Sequence, residues 1–340
     1  MSTIDNKEYI TFYDRVTHSI YLYDYETDDL FKKITMEKYG PNEVKEVNRF
    51  FFHNMDSIFI DSSFGIYLIN SNAEVFTKKG KGARHKNGVV FLDFDSKNYH
   101  FNQDSYFNNG HIEMAISFFN RTGEDYEYAI FDFEKDSISK ELIKTETIIK
   151  NYEEVQKVKE ETKKRRGWTT NIMRFFSRNK NHLYSSTSIS DSLFIFNEGE
   201  LVKTIYAGIP TIDVAKYSDY STINMVDHFE GGMTFHENPK QPAFYKNMLM
   251  SPDGKFIYRL LYQGAKPKFV EDNEGAVPNP LGATLIVIDT ETEKLNYYEL
   301  PINEIDIDRN LFVSNEGIFF RVKDQQNEDQ VQFRFFKVTQ

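Results

Sequence analysis

Four clusters of asparagine with basic residues are the first groups in this sequence that could do binding chemistry: Asn48-Arg49, Asn171 with Arg174, Lys246-Asn247 and Arg309-Asn310. Asn offers a donor and acceptors together, and Arg can grip a carboxylate or phosphate through two parallel bonds. Brought to one opening, these groups would hold a small polar or anionic ligand. The competing reading is structural: short polar side chains close the ends of elements, and the basic groups pair with nearby acids. A second cluster is His228, Glu230, His236 and Glu237. The two histidines stand too far apart for a His-Glu-x-x-His zinc signature and have Gly231-Gly232 between them, so no metal and no cofactor is expected from them. Trp168, the single tryptophan, follows the basic run Lys163–Arg166, which reads as an anion patch or as a solvated charge run.

Composition narrows the classes. The chain has 340 residues and a formal charge of -11, with 52 acidic against 41 basic residues. A net negative field repels phosphate backbones, so nucleic acid is not an expected partner. Cysteine is absent, which removes disulfides, thiolate metal sites and a Cys nucleophile. No apolar run approaches the roughly 20 residues that span a bilayer. "MSTIDNKEYI" has neither the basic nor the apolar region of a signal peptide. No Gly-x-Ser-x-Gly elbow, P-loop or dinucleotide fingerprint occurs, so no catalytic residue is assigned.

The elements that must position these residues are strands. Phe (31) and Tyr (21) are abundant, and aromatic and β-branched residues suit a pleated surface. "LMSPDGKFIYRLLYQG" reads as strand, tight turn, strand, and the pattern recurs with turn markers at Lys7, Asp56, Gly110, Asn181, Gly254 and Gly317. A third strand follows with a common ending: "SIYLYD", "GIYLIN", "YAIFDF", "SLFIFN" and "TLIVID", then a looser "VQFRFFKV". A fourth follows the first five. Four short antiparallel strands per unit is a propeller blade. The expected fold is therefore an all-β, six-bladed β-propeller with four-stranded antiparallel blades, seven blades being the alternative. It forms a single domain over 1–340, with a helical insertion near 147–166. The first blade lacks most of its inner strand and the last its outer one, which suggests a truncated N-terminus.

The stretch "SIYLYDYETDDLFKKITMEKYGPNEVKEVNRFFFHNMDSIFI" resembles the uncharacterised propeller lipoproteins of Bacteroidetes, a domain-of-unknown-function family. The resemblance rests on the blade-ending strand, the Gly-Pro-Asn loop at Gly40–Asn42 and the Asp-Ser-Ile strand start at Asp56–Ile58. It implies export and a lipid anchor on an N-terminal Cys that this chain lacks, and it implies no known activity. The expected location is thus the cell envelope, with cytoplasmic as the alternative.

Loop lengths then choose a face. With strands A to D running outward from the axis, the long connections at 146–170, 207–244 and 263–283 are D–A, D–A and B–C, and all fall on one face. Long loops in a compact fold are usually functional. The expected function is non-enzymatic binding of a small polar or anionic ligand, glycan or peptide by a monomer through this face. The candidate residues are Asn48, Arg49, Trp168, Asn171, Arg174, His228, His236, Lys246, Asn247, Arg309 and Asn310. The alternative is a metal-dependent, lactonase-like propeller hydrolase with an axial site, against which the Arg and Lys beside each Asn count, since they repel a cation.

Overall fold

A computed structural model describes the chain apart from residues 1, 5–6, 63–64, 80–83, 87–88, 92–96, 101–105, 109–110, 119–125, 133–134, 136, 150–151, 154, 158–171, 173, 180, 215–226, 230–231, 235–242, 271–272, 308–310, 324–330 and 339–340. It comprises two compact units, Met1–Thr145 with Glu198–Glu200, and Glu146–Asn197 with Leu201–Gln340.

In the first unit, β1 (Ser2–Ile4), β2 (Lys7–Asp14), β3 (Ser19–Asp24) and β4 (Leu30–Thr35) form one antiparallel sheet in chain order. β5 (Val47–Asn54), β6 (Ser57–Ser62), β7 (Gly65–Ile69) and β8 (Val75–Lys79) form the next. A two-stranded ribbon, β9 (Arg84–Lys86) with β10 (Val89–Phe91), leads to a sheet of β11 (Lys97–His100), β12 (Tyr106–Asn108), β13 (His111–Phe118), β14 (Tyr126–Asp132) and β15 (Ser137–Lys144). The helix α1 (Thr145–Ile148) follows.

In the second unit, β16 (Arg174–Arg178), β17 (Leu183–Thr187), β18 (Ser192–Asn197) and β19 (Glu200–Tyr206) form a sheet. The ribbon β20 (Asp227–Phe229) with β21 (Gly232–Thr234) comes next. β22 (Phe244–Met250) and β23 (Phe256–Tyr262) pair, and β24 (Ala265–Val270) with β25 (Asn273–Pro280) makes a third ribbon. β26 (Ala283–Asp289) and β27 (Leu295–Glu299) then complete the sheet β22-β23-β26-β27. The last sheet holds β28 (Ile305–Asp306), β29 (Phe312–Val313), β30 (Gly317–Val322) and β31 (Phe333–Lys337).

The fold is an all-β propeller. Counted as four-stranded antiparallel blades, the described residues form five, which corrects the expected six and the alternative seven. The β11–β15 sheet is five-stranded: β11 pairs with one half of β13 (Lys97↔Phe118 to His100↔Ala115) and β12 with the other (Tyr106↔Glu113 to Asn108↔His111). The sequence between those two pieces, "FNQDS", is rich in residues that favour turns over strands, so one continuous inner strand is not specified there. The expected helix at 147–166 is corrected too. α1 has four residues, further helical positions occur only at 152–153 and 155–157 among those described, and 158–166 lies outside them. Ile148, Ile149 and Val155 are buried, so the helical spacing in the sequence serves a core contact and not an exposed stripe. The 263–283 connection, expected as a long B–C loop, carries the β24–β25 ribbon.

Burial falls outward within a blade. β6 and β23 are buried along nearly their whole length, whereas β8, β19 and β27 are half-buried or exposed. In the second unit the β22–β27 sheet packs on both sides. One cluster joins it to the last sheet through Leu260, Tyr262, Leu285 and Phe320, the other to the β16–β19 sheet through Tyr184, Leu193, Ile257 and Ile286. Turn chemistry explains the recurring strand ending. The side-chain oxygen of Asp24 accepts from the Glu26 and Thr27 amides, that of Asn70 from Asn72 and Glu74, and that of Asp289 from Glu291 and Thr292. Each closes the turn to the fourth strand as an Asx-type turn. The inner turns also lock to each other: the Asp253 amide donates to Asn315 Oδ1 at 2.8 Å, and Gly254, at φ 75°, has room for no Cβ because Asn179 Cβ would stand 2.8 Å away.

One residue in β23 breaks the apolar pattern. Arg259 is fully buried and donates to the carbonyls of Ala207 (2.7 Å) and Ser190 (2.8 Å) and to Ser186 Oγ (2.8 Å). Its guanidinium lies 3.7 Å from the centre of the Tyr245 ring, and the Tyr245 hydroxyl donates to Asp191 Oδ1 at 2.5 Å. Burial lowers the Arg259 pKa to about 10, against the opposing pull of Tyr245 and Asp191, so it stays charged at neutral pH. Burial likewise pushes the Tyr245 hydroxyl far up, so it remains a donor. Arg259→Met should lower the unfolding free energy by about 3–5 kcal/mol, because it strands two carbonyls and a counter-charge. The check is the urea midpoint. Arg259→Lys should recover only part of it, since an ammonium cannot span three acceptors and stack at once.

Candidate functional site

An open cavity of about 600 Å³ lies in the first unit, between the β2–β3 turn and the β4–β5 connection. The sequence builds its walls locally. In the turn, Asp14 accepts from the amides of Val16 (2.9 Å) and Thr17 (3.3 Å) and from the Thr17 hydroxyl (2.6 Å), which throws Arg15 outward. The Thr17 bond, with the Val16 amide, holds the Asp14 carboxyl below the usual range. The connection from Met36 to Glu46 folds on itself: the Val44 amide donates to Glu37 O at 2.9 Å and the Glu43 amide to Gly40 O at 3.2 Å. Gly40 supplies the φ of 108° this fold-back requires. Asn42 Oδ1 accepts from the Val75 amide at 3.0 Å, tying the connection to β8. Val44 and Met36 are buried beneath it.

His18 joins the two walls. It is 6% exposed and sits at φ 53°, a left-handed conformation uncommon for His. Its Nε2 lies 2.8 Å from Val44 O and its Nδ1 lies 2.7 Å from the Tyr13 hydroxyl. A carbonyl only accepts, so Nε2 carries the proton. Burial raises the Tyr13 pKa, with Arg15 opposing and Asp14 reinforcing, which keeps the hydroxyl protonated.

The lining is cationic in a chain that is net acidic. Arg15, Lys38 and Lys45 line the cavity against one acid, Glu46, with Tyr13, Tyr39 and Asn48 adding hydroxyls, a ring and an amide. Lys45 Nζ is 2.7 Å from Glu43 Oε1, and this bond raises the Lys45 pKa. Tyr39 is 83% exposed, an aromatic surface open to a ligand. The arrangement can neutralise an oxyanion and hold a planar or ring-shaped body beside it.

The residues singled out from sequence separate. Asn48 lines the cavity, and it does so as the extra residue of a bulge in β5, between the Val47↔Ser62 and Arg49↔Asp61 pairs. Bulges re-aim side chains. Arg49 stands opposite Asp61 in the ladder. In the second unit, Lys246 occupies the same kind of bulge in β22, and its Nζ lies 5.9 Å from the Tyr262 ring centre. Asn247 follows it, opposite Leu260. Arg174 begins β16, opposite Thr187, and its Nη1 donates to Ile172 O at 3.4 Å. His228 is in β20 opposite Met233, with its backbone alone described. Trp168, Asn171, His236, Arg309 and Asn310 lie outside the described residues. Tyr13, Arg15, His18, Lys38, Tyr39, Lys45 and Glu46 were not anticipated. Neither "DRVTHS" nor "MEKYGPNEVKE" is net basic, and the one usable signal was their place in chain-adjacent B–C and D–A loops, the classes expected to bind. Among the described residues no three His, Asp or Glu side chains gather as a metal site.

The family model described as a domain of unknown function, DUF4221, matches residues 1–291. A crystal structure of a DUF4221 member from Bacteroides vulgatus is similar at 15% identity with a TM-score of 0.63, covering 98% of this chain and 91% of that one. A Bacteroides fragilis structure, described as a candidate exported protein, is similar at 10% identity with a TM-score of 0.54, covering 92% and 76%. At these identities the likeness is one of fold. No curated protein matches the chain.

The fold-back of the connection is testable by Gly40→Ala. A Cβ there would stand 3.1 Å from Glu37 Oε2 on a backbone that L-residues rarely adopt. The expected cost is about 1–3 kcal/mol, read by chemical unfolding, with earlier proteolytic nicking between residues 36 and 46 than in the parent.

Proposed function

The chain belongs to the DUF4221 family of domains of unknown function, and on that premise we propose that it is a binding propeller which takes a small anionic ligand in the Arg15–Lys38–Lys45 cavity. The observation that carries this reading is the sign of the lining. A protein of charge -11 concentrates three cations around a cavity of about 600 Å³ with one acid among them. Such a pocket attracts oxyanions by local field and disfavours a divalent cation, so binding is favoured over a metal-dependent hydrolase. Tyr39 and Asn48 suit the ring and hydroxyls of an anionic sugar. The cavity is formed by a B–C turn and a D–A connection, the loop classes expected to bind. Arg49 remains a proposed contributor beside Asn48, and Arg174, Lys246 and Asn247 are proposed separately as polar groups at strand starts of the same type in the second unit. Export to the cell envelope is supported by the description of the Bacteroides fragilis neighbour and is proposed with it. Among the described residues no helix is long and apolar enough to cross a membrane.

Calorimetric titration with glucuronate, and with sulfate as a second oxyanion, tests the reading. Saturable binding is expected that weakens as salt is added. Arg15→Ala and Lys38→Ala should each reduce affinity roughly 2- to 5-fold, the range for exposed charge pairs. Equal binding by the double variant and the parent would sink the proposal.

A further inference from the structure

His18 has a role in the cavity that its burial alone does not require. Both ring nitrogens are engaged, Nε2 with Val44 O and Nδ1 with the Tyr13 hydroxyl, and the ring meets Tyr13 edge-on at 5.8 Å between centroids. The Val44 bond fixes the Nε2 proton in every state. The direction of the Tyr13–His18 bond is then decided by Nδ1 alone. In the neutral ring Nδ1 accepts, and the Tyr13 hydrogen is spent on it. In the protonated ring Nδ1–H donates to Tyr13 Oη, and the hydroxyl hydrogen must turn to another acceptor. Tyr13 is part of the cavity wall, so a ligand oxyanion is available to take it.

Resting on the anion-binding reading above, we propose that His18 is a positioning residue that sets whether the Tyr13 hydroxyl donates into the cavity, so that anions bind more tightly as pH falls. Proton uptake by His18 and anion binding then favour each other, and linkage requires each to strengthen the other equally. The charged and titratable groups around His18 come from two elements. From β2 and its turn come Tyr13, Asp14 and Arg15; from the β4–β5 connection come Lys38, Lys45 with its partner Glu43, and Glu46. Arg15, Lys38 and Lys45 bring positive charge to this cavity, and Glu46 and a bound anion bring negative charge. The anion is the only one of these that comes and goes.

The experiment is glucuronate affinity between about pH 8 and pH 5, which spans imidazole titration in general while the carboxylate stays ionised. The parent protein should bind about tenfold more tightly at the acidic end, the worth of one charge-assisted hydrogen bond. His18→Asn keeps a residue that tolerates the left-handed angle and removes the titration, and its profile should be flat. Tyr13→Phe retains the imidazolium charge and loses the donor, so its profile should be shallower than the parent's. A parent profile as flat as that of His18→Asn, or a Tyr13→Phe profile as steep as the parent's, overturns the proposal while leaving anion binding intact. Absence of saturable binding at every pH overturns the anion-binding reading and this one with it. Nitrogen NMR of the free protein gives a second check without ligand or variant. The neutral ring should carry its proton on Nε2, and an Nδ1–H tautomer would overturn the relay.

Discussion

The second unit depends on where a single positive charge is kept. Arg259 sits in the middle of a strand whose other positions are buried apolar or aromatic residues, and burial of an unpaired cation would cost several kcal/mol. The structure meets that cost with groups from two sheets. Ser186 and Ser190 come from the β16–β19 sheet and its turn, and Ala207 from just beyond β19. Tyr245 lies on the neighbouring strand β22, across the guanidinium face, and passes the charge on to Asp191. Each partner is held in turn. The Ala207 amide donates to Asp191 O at 2.7 Å, the Tyr245 amide to Ser188 O at 2.8 Å, and the Tyr297 hydroxyl to Gly208 O at 3.1 Å. Apolar contact would let two twisted sheets slide by a residue; a planar fork with three fixed acceptors admits one register. The apolar clusters on either side supply the free energy, and Arg259 supplies the alignment.

The turns show why so much of the strand order could be read from the sequence. Asp24, Asn70 and Asp289 end third strands because an Asx turn needs that side chain at that offset, and a residue of positive φ follows each, four places on at Asp28 and Glu293 and three places on at Ala73. These are local requirements, so a single repeat displays them. "SLFIFN" reaches the same end differently, through Glu198-Gly199 at φ 50° and 90°, as a two-residue hairpin turn. What local signals cannot set is whether the residues before a hairpin make one inner strand. Before β13 they make two pieces, as they do before β30 with β28 and β29, and turn markers alone do not show it. The same limit explains the helix. Spacing at Ile148, Ile149 and Val155 reports a face to be buried, not the length of the element that buries it.

The site was less legible than the fold, and for a definite reason. Asn48 was found because Asn beside a basic residue recurs at strand starts, a pattern legible in the chain itself; the bulge that turns it to the cavity was not. Arg15, His18, Lys38 and Lys45 are unremarkable where they stand in the chain; their meaning comes from a fold-back that carries Val44 O to His18. Arg259 was the opposite case. A lone Arg within "FIYRLLY" announces a buried charge, yet only the structure shows which acceptors it meets.

Strain and function meet in the Met36–Glu46 connection. Gly40 and Glu46 both hold positive φ, and His18 beneath holds another. The angle at His18 follows from its place four residues after Asp14 in the same kind of Asx turn, and those at Gly40 and Glu46 from the fold-back of the connection. Asn42, Val44 and the Ser62 hydroxyl on Lys45 O hold the connection at separate points, so no single bond fixes its shape. That redundancy lets the one bond between His18 and Tyr13 reverse its direction without releasing the wall. A pocket held by a single polar contact would open when the contact changed; one held at several points can change the donor it presents and keep its form.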